Sequence, residues 1–230
     1  MEQLLNSEIF ILTLVTGVYL LALWLYRKTR LALLHPLLVS IPVLAVATRI
    51  LGISYESFER GSRIITFLLG PTVVVLGYLL YEQIAQLKEN AVSIITSVFV
   101  GCVTGILSVI YIARYFGADQ VLIASLEPKS VTTPIAMSIA EKSGGIPSIA
   151  AVVVIVVGIF GGVVGPFILE KLGVTSRIAK GLALGSAAHG LGTARAMELG
   201  TIEGAISGLA IGVMGIMTAV LVPVIEMILK

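Results

Sequence analysis

"SLEPKSVTTPIAMSIA", residues 125–140, places Glu127, Pro128, Lys129, Ser130, Thr132, Thr133 and Pro134 inside a chain that is otherwise strongly apolar. Pro128 and Pro134 lack the amide N–H that a helix interior uses, and each biases the residue before it away from helical backbone. Thr133 followed by Pro134 makes an N-cap and a first helical position. Gly144 and Gly145 supply a C-terminal stop. The stretch reads as an apolar half-helix to about Leu126, an unwound link over "EPKSVTT", and a second half-helix from Pro134. Whether the link sits in water or at membrane depth decides both fold and function.

Composition favours the membrane. Of 230 residues, 57% are hydrophobic and 12% charged, with a mean hydropathy of +1.07. Soluble domains carry about 25% charged residues. Apolar segments run near 9–26, 31–51, 61–81, 91–116, 119–141, 147–172, 178–199 and 204–229, separated by polar breaks such as "RKTR", "EKSGGIP" and "EKLGVTSRIAK". The expected fold is an all-α polytopic membrane protein, since about 20 apolar residues make one span and the chain has room for about seven or eight. It is read as one transmembrane domain over 1–230, with a first half at 30–117 and a second at 118–230. The run "AAVVVIVVGIF" suits a strand in water, but at this length and in this company it is a membrane helix. "MEQLLNSE" has no basic residue, whereas Arg27, Lys28 and Arg30 follow the first apolar run. That is the reverse of a secretory signal, so 9–26 is expected to remain as a span, with Trp24 and Tyr26 in an interfacial belt. Basic residues are nearly balanced between the two sides, and orientation stays open. A net charge of +2 argues for no nucleic-acid partner. The lone Cys102 makes no internal disulfide.

A second segment shares the grammar of the first. In "GLALGSAAHGLGTARAMELG", residues 181–200, His189, Gly190 and Gly192 interrupt a small-residue helix, and Thr193 can cap a new one with Arg195 in its first turn. "TPIAM" at 133–137 and "TARAM" at 193–197 lie sixty residues apart, and Lys129 matches His189 at that offset. Gly101/Gly105 and Gly161/Gly165 echo each other similarly. These matches predict two interrupted helices and an internal structural repeat, the arrangement that builds midplane binding sites in transporters. Fourteen of the 24 glycines fall between Gly158 and Gly215, several at four-residue spacing, which predicts close helix packing.

Unwound backbone at membrane depth is tolerated only inside protein or beside a water-filled cavity. A half-helix N-terminus, free N–H groups, the Lys129 charge and the hydroxyls of Ser130, Thr132 and Thr133 are the ingredients for holding a carboxylate. The competing reading is an ordinary hydrated loop. His189 is either a satisfied core residue or a ligand, and Arg195 either snorkels to an interface or pairs with a substrate or with Glu198. Glu226 is read as interfacial. Two histidines in separate regions support no metal site, and no catalytic constellation or cofactor motif is present, so no enzyme, metal or cofactor is expected.

The motifs "PKSVTTPIAMSIAEKSGGIPS" and "GLALGSAAHGLGTARAMELGTIEGAISGLAIG", with "GISYESFERGSRIITFLLGPTVVVLGYLLYEQ" earlier, resemble the LrgB/CidB family over nearly the whole chain. Glu127 departs from the uncharged residue usual there. The resemblance implies a multi-pass protein of a bacterial inner membrane, acting with a small LrgA/CidA-like membrane partner. It implies two functions: transport of small monocarboxylates such as glycolate, glycerate or pyruvate, or antiholin-like regulation of murein hydrolases and autolysis. The expected substrate-binding residues are Lys129, Ser130, Thr132, Thr133 and Pro134 on one side and His189, Gly190, Thr193 and Arg195 on the other. "GPT", Gly70, Pro71 and Thr72, completes the cavity. A coupling proton or cation is expected, with His189 as a carrier whose ordinary pKa is about 6.5. Homo-oligomerisation is left open.

Overall fold

A computed structural model of the chain describes residues 7–29, 34–82, 84–89 and 91–229, apart from the side chains of 69–70, 72–73, 76–77, 79–80, 84 and 86–87. The regular elements among the described residues are helices, with no strand among them. The chain divides into two compact units, Met1–Thr72 and Val73–Lys230.

The first unit holds α1 (Glu8–Thr29), α2 (Pro36–Ile50) and most of α3 (Tyr55–Glu82). Ile11, fully buried, fills the space over Gly61, where an added Cβ would come within 2.6 Å of the Ile11 Cβ. His35 caps α2 by accepting the Leu37 N–H at 3.3 Å and rests on the Tyr26 ring. Partial burial lowers the pKa of this imidazole from its ordinary value. Lys28 lies 5.3 Å above the Trp24 ring at the end of α1, a cation–π contact suited to an interface.

The second unit holds α4 (Ile84–Glu89), α5 (Ala91–Tyr115), α6 (Gln120–Leu126), α7 (Thr133–Lys142), α8 (Pro147–Lys171), α9 (Arg177–Leu199) and α10 (Thr201–Leu229). Among the described residues, α1, α5, α8 and α10 are long and apolar enough to cross a membrane, and α2 is a shorter apolar helix. The β-branched run lies in α8, as expected. α9 has the length of a span, at 23 residues, but His189, Arg195 and its glycines make it more polar.

α10 forms the centre of this unit, with half of its apolar span buried. Burial alone does not hold such a centre together, because lipid tails are as apolar as leucine and helix association relies on packing and hydrogen bonds. α9 supplies the packing. A Cβ on Gly181 would come within 2.6 Å of the Glu203 carbonyl, and one on Gly185 would overlap the Ser207 carbonyl and lie 2.8 Å from its Oγ. Along α5, Ile94, Val98, Cys102, Ile106 and Ile110 recur every four residues and form its buried face. Cys102 Sγ meets Thr218 Oγ1 of α10 at 3.3 Å, while Thr218 donates to its own helix at Met214 O, 2.7 Å away. At the start of α10, Glu203 is buried in the first turn, where a carboxylate suits the helix dipole, and Arg177 approaches it to 4.0 Å.

α7 stops where the sequence expects. Gly144 adopts φ +78, the Gly145 N–H bonds Ala140 O at 2.7 Å and the Gly144 N–H bonds Glu141 O at 3.2 Å. This left-handed cap satisfies the last carbonyls of the helix. The loop then folds back on α6, where Ser125 Oγ accepts the Ile146 N–H at 2.7 Å and donates to Val121 O.

An interhelical hydrogen bond in a membrane averages about 0.6 kcal/mol, whereas overpacking a tight contact costs about 1–3 kcal/mol. The glycine contacts should therefore dominate stability. Gly185→Ala is expected to lower the thermal midpoint in detergent clearly. Gly208→Ala, whose Cβ would meet nothing within 4 Å, should hold or raise it.

Candidate functional site

The link between α6 and α7 is a compact coil of turns. Glu127 caps α6 with its N–H on Ile123 O at 3.0 Å; the Lys129 N–H bonds Leu126 O at 3.1 Å and the Val131 N–H bonds Pro128 O at 3.3 Å. The expectation of free amides across the link is thus corrected at Lys129 and Val131, whose N–H groups are taken up by the turns. Pro128 and Val131 are fully buried and Ser130 nearly so. The N-cap of α7 is Thr132, one residue earlier than expected, with Thr133 opening the helix and Pro134 next. Thr132 Oγ1 makes no capping bond and is buried without a partner.

Lys129 is where this link meets open space. Its Nζ donates to Ser130 Oγ at 3.0 Å, and the residue lines two cavities. The first, about 730 Å³, is walled by Ser93, Ser97, Gly101, Thr104 and Gly105 of α5. Ser176, Ala183, Ser186 and Ala187 of the α9 region face them, and Met214 comes from α10. The second, about 610 Å³, is more apolar and lies along the next stretch of α5, from Ser108 to Phe116, against Leu122 and Leu126 of α6. Among the described residues, Lys129 is the one charged residue lining either cavity. In the first, an ammonium sharing a cavity with several hydroxyl groups is chemistry for a small anion, since charge-assisted bonds are the strong ones.

The hydroxyl wall was absent from the sequence expectation. Its signal is periodic: Ser93, Ser97, Gly101 and Gly105 stand four residues apart, one step from the buried face at 94, 98, 102 and 106. Added side chains at Gly101 and Gly105 would meet nothing within 4 Å, so these glycines leave space for the cavity and do not serve a helix contact.

The second expected cluster is placed elsewhere. α9 kinks at His189, with φ 42 and ψ −130, where the interruption was expected. The buried imidazole points to α8: its Nε2 lies 2.9 Å from Val154 O, and the ring covers Gly158. A Cβ on Gly158 would lie 2.5 Å from the His189 Cε1. Thr193, also buried, pairs with Ser207 Oγ of α10 at 2.7 Å, while Gly190 is exposed with open space around it. Arg195 is exposed and paired with Glu198. None of these four lines the 730 Å³ cavity, and neither do Thr132, Thr133 and Pro134. Of the expected residues, Lys129 and Ser130 are brought to it together. Pro71 is an exposed residue of α3. The side chains of Gly70 and Thr72 lie outside the described residues. Among the described residues, no group of three histidines, cysteines or carboxylates gathers to hold a metal ion.

Comparison with known proteins agrees over most of the chain. The model of the LrgB-like family matches residues 15–228. Two similar proteins of Bacillus subtilis (strain 168) are 38% identical: uncharacterized protein YxaC over 88% of each chain, and uncharacterized protein YwbG over 92% of this chain and 94% of its own. Antiholin-like protein LrgB of Bacillus cereus is 34% identical over 83% of each chain. No solved structure matches. With its helical, membrane-suited architecture, the chain belongs to the LrgB-like family.

Proposed function

We propose that the protein is a transporter or facilitator of small monocarboxylates, of the glycolate, glycerate or pyruvate type, in a bacterial inner membrane. The observation that carries this reading is the position of Lys129. Among the described residues it is the one charge on two cavities that follow each other along α5, the first lined with hydroxyls and the second more apolar. A charge at bilayer depth is costly, and residues that bear that cost commonly mark ion and substrate pathways. In this reading α6 and α7 are two halves of one interrupted span, α9 is its sixty-residue counterpart kinked at His189, and the two form a structural repeat. The carboxylate binds the Lys129 ammonium with Ser130, Ser97, Thr104 and Ser186 nearby. Thr132, Thr133 and Pro134 set the start of α7. His189 and Thr193 fix the kinked helix against α8 and α10.

A second reading, antiholin-like regulation of murein hydrolase activity and autolysis with an LrgA-like partner, is favoured by the name of the Bacillus cereus relative. The glycine-rich α9–α10 packing is compatible with it, but it gives Lys129 and the hydroxyl wall no task.

Reconstitution separates the two. Vesicles carrying the purified chain, with and without an LrgA-like partner, are expected to take up labelled glycolate, glycerate or pyruvate saturably; absence of uptake from both preparations would sink transport. Losing a hydrogen bond to a charged group costs about 1.5–3 kcal/mol, so Lys129→Ala should reduce uptake efficiency about 10- to 100-fold at 1.36 kcal/mol per tenfold. Gly101→Leu, directed into open space, should fold normally and block uptake. Arg195→Ala should transport as the parent does.

A further inference from the structure

Glu127 precedes Lys129 by two residues and is 3% exposed. Glu226 of α10 stands within electrostatic reach of it. Their neighbours Leu126 and Ile225 belong to one apolar cluster with Ile123 and Val222, so the pair sits at the edge of the packed core. Glu127 Oε2 and Glu226 Oε1 are both buried, and neither has a hydrogen-bond partner. The other charged group facing Glu127 is Arg114, from the last turn of α5.

Ionised carboxylates are acceptors only and require donors. Two of them face to face, largely shielded from water, cannot both remain charged, whereas a carboxylic acid donating to a carboxylate satisfies both. Charge counting selects one proton. Two ionised carboxylates against Arg114 leave one uncompensated negative charge; a single shared proton makes the trio neutral. We propose that Glu127 and Glu226 form an acid–carboxylate pair holding one proton, and that this proton binds together with the carboxylate at Lys129. The second clause rests on the transport reading.

The coupling follows from position. The turn bonds that fix Glu127 and Lys129 to α6 hold the two side chains on one short coil. Losing the proton adds a negative charge two residues from Lys129 on the same coil, which makes the site less favourable for an arriving anion. Anion affinity therefore falls as this proton is lost with rising pH. By reciprocity, bound anion holds the proton to higher pH.

Infrared titration of the purified chain in lipid, with and without glycolate, reads the carbonyl stretch of a protonated carboxylic acid directly. The parent should show this band at neutral pH, and E127Q and E226Q should each lose it. Saturating glycolate should move its disappearance to higher pH. A parent spectrum without the band, or a band that persists in the double glutamine variant, overturns the proton site. A band unmoved by glycolate in vesicles that take glycolate up overturns the coupling. Vesicles that show the band but take up none of the three acids retain the proton site and remove the transport reading, so the two failures are told apart.

Discussion

A backbone amide inside hydrocarbon has no water to bond, and leaving it unpaired costs several kcal/mol. Between α6 and α7 the chain meets part of that demand locally. Glu127 returns its N–H to the carbonyl four residues back, and Lys129 and Val131 return theirs to carbonyls three residues back. The chain thus changes course with these three amides paired. The coil is closed in by Pro128 and Val131, both fully buried, leaving the Lys129 side chain to reach the cavities. Position, more than residue type, turns this lysine from an interfacial charge into a candidate ligand.

The α9 interruption meets the same demand by another route. One residue, His189, takes a backbone conformation that non-glycine residues seldom adopt, at a cost of about 1–3 kcal/mol. Its imidazole then bonds Val154 O at 2.9 Å over Gly158, and Thr193 bonds Ser207 at 2.7 Å just beyond. Each such bond contributes about 1 kcal/mol, so together they offset much of the strain and anchor the two halves of α9 to different helices. Sixty residues apart, the matched positions do opposite work: one presents a cation to a cavity, the other buries an imidazole in the packing.

That contrast marks how far the sequence was legible. Local chemistry carried the boundaries: proline bias ended α6 at Leu126, and Gly144 ended α7 in a left-handed cap. The kink at His189 was readable from its glycine neighbours. Side-chain direction was not, because it depends on which helices lie alongside, and those contacts are distant in sequence. Val154, the partner of His189, is thirty-five residues away. Glu226, near the end of the chain and so read as interfacial, faces Glu127 across the fold. The serine stripe of α5 follows a period of four, but in the sequence Gly101 and Gly105 read only as an echo of Gly161 and Gly165. Only the empty space beside them distinguishes a cavity wall from a helix contact.

Lys129 finally weighs transport against a scaffold role. A basic residue at the centre of a span costs about 2.5–3.5 kcal/mol on insertion scales. Among the described residues its hydrogen-bond partner is the Ser130 hydroxyl, at 3.0 Å, and a hydrogen bond to a charged group contributes about 1.5–3 kcal/mol. The two figures come close to cancelling, so the lysine gives the resting fold little net stability. A scaffold helix would be held better by an apolar side chain at the same place. A binding site has the opposite need: the charge must be reachable and only weakly committed, so that an arriving carboxylate replaces a neutral hydroxyl as its principal partner. The gain then comes on binding, which is the differential interaction a ligand requires to shift a conformational equilibrium.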